Sequence, residues 1–268
     1  MQRRHLGAIV IGLIVLVGCG IVGFAWPMTQ GYPPLLHLLG DRLIAKQEPV
    51  FDRETLQTDL AAAGFAMGDP VHVRIFKRER RLEVWLRSAA TGSYARFRDY
   101  DICNYSGALG PKLREGDRQS PEGFYRVSKA QLNPHSRHHL SFNLGFPNAF
   151  DRQLGRTGSA LMVHGGCSSV GCYAITDAGV DEVYALVEAA LERGQDAVDV
   201  HAFPFEMTEA ALAAEAGHDW LGFWHNLKQG YDLFEADRAP PRVGACNGQY
   251  RFGTAAEGSD CTAIAAWS

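Results

Sequence analysis

Leu6 to Trp26 runs for 21 residues without one charged side chain. Such a run does not belong on a water-exposed surface, and as a helix rising about 1.5 Å per residue it is about 30 Å long, the thickness of a bilayer's hydrocarbon core. Arg3 and Arg4 precede it as a short basic head. The positive-inside rule keeps that head cytoplasmic and puts the body of the chain on the other side. Three processing routes fit the segment. It is a retained signal anchor, a lipoprotein signal in which Leu16-Val17-Gly18-Cys19 is the lipobox and Cys19 the acylated residue, or a cleaved signal peptide ending near Ala25. All three export the body.

An exported chain meets oxidising conditions, so its six cysteines are read as disulfides or thiol chemistry. Cys246 and Cys261 sit together in a Gly-rich tail and are expected to bridge. Cys103, Cys167 and Cys172 remain, an odd set that points to a free thiol. A formal charge of −4 offers no basic excess to neutralise phosphates, which excludes nucleic acid as an expected partner.

Residues 27–67 read as a Pro/Gly-rich linker followed by a short helical segment in which Leu56, Leu60 and Ala63 share a face. From Asp69 the period changes to two. Val71, Val73 and Ile75 alternate with His72 and Arg74, and Leu82, Val84 and Leu86 alternate with Glu83 and Trp85, around a charged turn at Lys77 to Arg80. That pattern predicts a β-hairpin with one buried face. Further extended runs cover Tyr94 to Tyr105, Phe124 to Val127, Leu140 to Leu144 and Ala160 to Val163. A helix capped by Thr176 or Asp177 carries an apolar stripe at Val180, Val183, Val187, Ala190 and Leu191 and stops at Gly194. Ala197 to Phe203 returns as a strand, and Thr208–Ala216 and Trp220–Leu227 read as short helices. The expected architecture is a β-rich α+β domain over residues 68–235, with one long helix and short C-terminal flanking helices. Residues 236–268 are expected to form an irregular tail.

Chemistry concentrates in His164-Gly165-Gly166-Cys167-Ser168-Ser169-Val170-Gly171-Cys172. An apolar strand delivers His164, and glycines and serines fold the chain back at little steric cost, so that Cys172 closes the loop. A cysteine attacks as its thiolate and needs a base or a positive environment; His164 supplies the base. The backbone N–H groups of Gly171 and Cys172 are candidates to face a developing oxyanion. Two other accounts stay open: a Cys167–Cys172 disulfide, and metal ligation with His164, although the spacing matches no common zinc pattern and no cofactor is expected. His135, His138 and His139 read as solvated loop residues.

Several motifs in order resemble the YkuD-type L,D-transpeptidases of bacterial cell walls, in particular the YafK-like branch. They are Tyr105-Ser106-Gly107, Ser120-Pro121-Glu122-Gly123-Phe124-Tyr125, Phe146-Pro147-Asn148-Ala149-Phe150-Asp151, His164-Gly165 and Ser169-Val170-Gly171-Cys172, with Tyr173-Ala174-Ile175-Thr176-Asp177 following. The resemblance implies a β-sandwich-like catalytic domain in which Cys172 is the nucleophile and His164 the proton donor and acceptor, with Gly165, Ser169 and Gly171 supporting the turn. It implies acyl transfer on peptidoglycan stem peptides after the L-centre of diaminopimelate. The implied location is the periplasm, with the body anchored to the inner membrane through the N-terminal segment. Many relatives carry His where Val170 stands and Ile-Arg where Tyr173-Ala174 stand. The substrate-carboxylate contact therefore passes to Arg137, Lys112 or Arg152 as candidates. Resemblance to the YafK-like branch raises hydrolysis as an alternative to transfer, including release of a lipoprotein linked to peptidoglycan. A second alternative is an anchored, non-catalytic peptidoglycan-binding module with Cys167 and Cys172 bridged.

The anchor is directly testable. Palmitate labelling of the full chain is expected to leave Cys19 unlabelled and the protein in the membrane pellet; label on Cys19 together with loss of Leu6 to Gly18 would establish a lipoprotein instead.

Overall fold

The computed structural model describes residues 50–267. The membrane segment and Cys19 lie outside the described residues. The described residues cluster as one compact unit. Its centre is a single nine-stranded sheet curled into a half-barrel, in the order β4-β9-β1-β2-β3-β8-β7-β6-β5. The strands are β1 (Val71–Phe76), β2 (Arg81–Arg87), β3 (Tyr94–Tyr105), β4 (Gly123–Val127), β5 (Leu132–Ser136), β6 (His139–Asn143), β7 (Met162–His164), β8 (Tyr173–Ile175) and β9 (Val198–Phe203). Only β1–β9 and β7–β8 pair in parallel. The β-rich α+β class expected from the sequence is the class observed, and the expected sandwich takes the form of this one curled sheet. Its 12-residue β3 spans the curl: Tyr94 to Asp101 pair with β2, while Ile102 to Tyr105 pair with β8 across a bulge at Ile102/Asn104.

The helices follow from local signals. Helix α1 (Arg53–Ala62) starts at Asp52, whose carboxylate accepts the Glu54 and Thr55 N–H groups, and buries Leu56 and Leu60 while Ala63 stays exposed. A short α2 (Ala149–Gln153) is capped by Asn148. The long α3 (Asp177–Glu192) is capped by Thr176, whose hydroxyl accepts the Gly179 N–H. Val180, Val183 and Val187 on α3 pack with α1 and with Val71, Val73, Ile75, Val198 and Val200 in the first core. Then come α4 (Glu209–Ala214) and α5 (Leu221–Asp237).

Helix α5 runs to Asp237, ten residues past the expected end at Leu227, and that extension changes the hairpin. The face of β1 and β2 expected to meet water is buried: His72, Arg74, Glu83 and Trp85 are all below one-tenth exposed. Arg74 survives there because Glu83 takes its Nε and Nη2 protons at 2.9 and 2.7 Å and Glu235 of α5 takes a third at 2.5 Å. Its guanidinium also stacks over Trp85 and Phe234, 4.7 and 4.9 Å from their centroids. Alternation told which residues share a face, but not whether the second face would be covered.

The tail is a further correction. Residues expected to be irregular form a three-stranded antiparallel sheet, β10 (Val243–Cys246), β11 (Gln249–Phe252) and β12 (Cys261–Ala263), in the order β11-β10-β12. A Cys246–Cys261 disulfide closes it. Ala245, Tyr250 and Ile264 join Phe76, Phe124, Phe203, Trp224 and Leu227 in a second core on the other side of the sheet.

A fully buried ion pair ties these parts together. Lys77 Nζ lies 3.0 Å from Glu122 Oε1 with both side chains fully buried, and Glu122 also accepts the Gly110 N–H at 2.7 Å and the Trp224 indole N–H at 2.9 Å. Burial pushes the Lys77 ammonium below its ordinary pKa, and Glu122 pulls it back up. Breaking a buried pair from one side strands a charge at a cost of about 3–5 kcal/mol. Lys77→Met should lower unfolding stability in urea by about that amount, and adding Glu122→Gln should recover part of it. A K77M cost within error of zero would contradict the assignment.

Candidate active site

The His164–Cys172 turn sits where β7 and β8 run side by side. Their parallel register places Val163 beside Tyr173 and His164 beside Ala174. Cys172 stands immediately before β8, one strand over from His164 and two residues back from its register partner Ala174. The loop between them is pinned on three sides. Cys167 forms a disulfide with Cys103 of β3, the Asp177 carboxylate at the head of α3 accepts the Gly166 N–H at 2.8 Å, and Gly165 donates its own N–H to His138 O at 3.1 Å. Gly165 is there for space: a Cβ would lie 2.5 Å from Asp177 Oδ1, 3.0 Å from Val180 Cγ1 and 3.1 Å from His138 O.

The disulfide corrects one of the alternatives left open by the sequence. Cys167 is bonded to Cys103 and cannot bridge Cys172, which is the one free thiol among the described cysteines. Nothing in the local spacing reveals the true partner, because Cys103 is 64 residues away and reaches Cys167 only through the β3–β8 pairing.

His164 is buried, and its Nδ1–H donates to Gly165 O at 2.5 Å, which leaves Nε2 to carry the lone pair. Burial first, and then the neighbouring His138, hold its pKa below the ordinary imidazole value, against the pull of the Gly165 carbonyl. The exposed His138 ring stacks on it with centroids 4.6 Å apart and planes 30° apart, so the loop histidine expected only to be solvated covers His164. Burial pushes the Cys172 thiol up, while the Met162 N–H and the Lys112 ammonium draw it partly back. Its Sγ–H points at Ala160 O, 3.6 Å away. Both groups therefore rest in their neutral forms near pH 7, as a thiol and an imidazole rather than an ion pair.

Serines hold the cysteine's backbone. Ser120 Oγ and Ser169 Oγ each donate to Cys172 O at 2.8 Å, and Ser106 Oγ lies 2.8 Å from Ser169 Oγ. The Gly171 N–H donates to Ser106 Oγ at 3.0 Å. That bond spends the donor expected to face an oxyanion, so Gly171 belongs to the support of the turn. Its φ of +116° is one that a side chain would resist. Ser106, Ser120 and His138 were missed as site residues because each reaches the turn from a distant segment; the Ser-Gly and Ser-Pro-Glu-Gly motifs were the only sequence trace of the first two. Ser141, the register partner of His164 across β6–β7, is a further buried hydroxyl with no hydrogen-bond partner among the described residues.

The three candidate cations separate. Lys112 is near enough to Cys172 to lower its pKa, and its ammonium is bonded to Asp117 and to Arg114 O at 2.9 Å. Arg137 is exposed in the β5–β6 turn next to His138 and makes no ion pair among the described residues. Arg152 of α2, a helix that packs on β10 and β12 of the tail, donates to Pro147 O just before that helix. Val170 is 75% exposed and takes no part in orienting His164.

Residues 70–200 match the YkuD L,D-transpeptidase catalytic domain. YafK of Escherichia coli strain K12 is 48% identical over 184 residues, covering 69% of this chain and 74% of that protein. The chain belongs to the YkuD family of L,D-transpeptidase catalytic domains. The YafK of E. coli O157:H7 matches to the same extent. Among solved structures, the helical cell shape determining protein Pgp2 of Campylobacter jejuni aligns with 19% identity and a TM-score of 0.41, over 67% of this chain and 64% of that one. Bdellovibrio bacteriovorus Bd1075 aligns with 14% identity and a TM-score of 0.38, over 73% of this chain and 91% of that one. No helix among the described residues is long and apolar enough to cross a membrane.

The cysteine pairing gives a mass prediction. Alkylation of the non-reduced, folded protein should modify Cys172 and leave Cys103, Cys167, Cys246 and Cys261 untouched until reductant is added. An adduct on Cys103 or Cys167 before reduction would break the assignment of the loop staple.

Proposed function

We propose that this YkuD-family domain performs cysteine-dependent acyl transfer on peptidoglycan stem peptides, at the carbonyl that follows the L-centre of diaminopimelate. The observation that supports the proposal is the one free thiol among the described cysteines, Cys172, standing immediately before β8 beside the β7 strand that ends in the buried His164. His164 Nε2 takes the thiol proton as Sγ attacks the carbonyl carbon, and a C–S bond forms. The tetrahedral adduct collapses by breaking the C–N bond, and His164 returns the proton to the departing amine. A thioester remains on Cys172. An incoming amine then gives its proton to His164 and attacks the thioester, which forms the new amide and restores the thiol.

A neutral pair suits this sequence of steps. The imidazole can accept a proton only while it is unprotonated, and its depressed pKa keeps it so at neutral pH. The raised pKa of Cys172 means that little thiolate exists before substrate arrives, so proton removal and attack are coupled. The exposed Arg137 beside His138 is the cation we assign to the substrate carboxylate, since Lys112 is already engaged with Asp117 and Arg152 with Pro147 O. Water in place of the amine would make the same machinery a hydrolase, and product analysis separates the two outcomes.

The test is muropeptide mass analysis after incubation of the full-length protein with peptidoglycan and an amine acceptor. Cys172→Ala should abolish conversion, and His164→Gln should slow it by about 10²–10⁴-fold. Full conversion by C172A would end the proposal. New amide products report transfer, and stem peptides cut without an acceptor report hydrolysis. Activity should be lost as pH falls through the His164 pKa, at an acid limb below the ordinary imidazole value, and iodoacetamide should react with Cys172 appreciably only above the ordinary thiol range.

A further inference from the structure

A cavity of about 390 Å³ lies between the β4–β9 edge of the main sheet and the C-terminal tail, and none of the residues named at the Cys172 turn lines it. At its inner end is His201, 1% exposed, with neither ring nitrogen hydrogen-bonded among the described residues. A buried polar group without a partner costs free energy and is rare in a native fold. Burial and the neighbouring His72 and Arg74 hold the imidazole neutral, so it offers one N–H donor and one lone-pair acceptor. The rim carries two arginines, and each is matched by its own carboxylate: Arg126 is 3.3 Å from Asp199, and Arg242 pairs with Glu257. Pro240, Pro241 and Ile264 supply apolar wall.

We propose that this cavity is a saccharide-binding site, taking a neutral pyranose unit or a disaccharide. Sugar hydroxyls both donate and accept, so one can meet the lone pair and a second the N–H of a neutral His201. An anion would face Asp199 and Glu257, and a cation would face Arg126 and Arg242, whereas a ring of hydroxyls can use both members of each pair. The C–H faces of a sugar ring suit the proline and isoleucine walls. The volume falls at the small end of the range of about 300–1,000 Å³ usual for ligand sites. Without the tail sheet there would be no cavity, so the site gives residues 240–264 a part in recognition.

Strand β4 joins this cavity to the cysteine. Phe124 and Arg126 line the cavity, and Ser120, at most about 20 Å further back along extended chain, holds Cys172 O. A glycan bound in the cavity is thus within one stem peptide's reach of the thiol. That link rests on the acyl-transfer proposal; the saccharide site itself does not.

The test is saturation-transfer NMR on the full-length chain in nanodiscs, with N,N′-diacetylchitobiose as the probe. The probe should bind to wild type and to Cys172→Ala alike. Arg126→Ala, at a half-exposed position, and Ala263→Trp, which fills the cavity from its exposed edge, should each weaken binding at least about tenfold with thermal unfolding unchanged. No transfer at millimolar probe, or transfer undiminished in both cavity variants, would overturn the proposal. Binding that vanishes in C172A would place the sugar at the thiol and overturn it equally. If C172A binds the probe yet converts no muropeptide, both proposals stand; if C172A binds the probe and still converts muropeptides, only the saccharide site does.

Discussion

The Glu122 carboxylate is the point on which the rest of the molecule depends. A fully buried negative charge is tolerable only where every lone pair is answered, and Glu122 is answered by the Lys77 ammonium, the Gly110 N–H and the Trp224 indole. Those partners come from the end of β1, from the loop before β4 and from α5. Satisfying one charge therefore sets three segments against each other. The residues on either side of Glu122 then reach the cysteine: Ser120 donates to Cys172 O, and Pro121 O accepts the Tyr173 hydroxyl at 2.6 Å. The Ser-Pro-Glu-Gly motif is thus a two-sided fixture, anchored to the second core by its carboxylate and holding the candidate nucleophile by its hydroxyl and carbonyl.

The turn that carries Cys172 solves the opposite problem. Glycines and serines let it fold tightly, but such a loop would sample many conformations, and a misplaced nucleophile is costly. The Cys103–Cys167 disulfide, the Asp177 contact at the head of α3 and the three serine hydroxyls remove that freedom. Each restraint acts on the backbone around Cys172 and leaves its Sγ only the Met162 N–H and, as a weak S–H donor, the Ala160 carbonyl, so the chain is held firmly while the thiol stays available. Burial raises the thiol's pKa and lowers the imidazole's, which favours the neutral form of each.

Much of the fold was legible from local pattern. The strand at Tyr94 to Tyr105 and the helix capped by Thr176 lie where alternation and capping chemistry put them, because period and cap are properties of adjacent residues. The errors came where burial is decided by something distant. Alternation in β1 and β2 could not reveal that α5 would cover the polar face and bury Arg74 among rings. The tail read as irregular because its strands are three or four residues long, too short for a period to register, and they depend on the Cys246–Cys261 bridge and on packing against Phe124. Of the candidate site, the histidine, the cysteine and the supporting glycines stood out by spacing; Ser106, Ser120 and His138 did not, since they arrive from other strands.

By itself the sequence determined the strand and helix periods, the placing of His164 and Cys172 at the two ends of one Gly/Ser turn, and the motifs that carry the family likeness. These are short-range facts, written in neighbouring residues. Tertiary structure alone decided that Cys167 belongs to Cys103, that the Gly171 N–H serves a serine, that Lys112 is paired while Arg137 has no ion pair among the described residues, and that the tail closes a cavity over His201. Each of these joins segments far apart in the chain. Only the curl of the sheet and the satisfaction of its buried charges bring such groups within bonding distance.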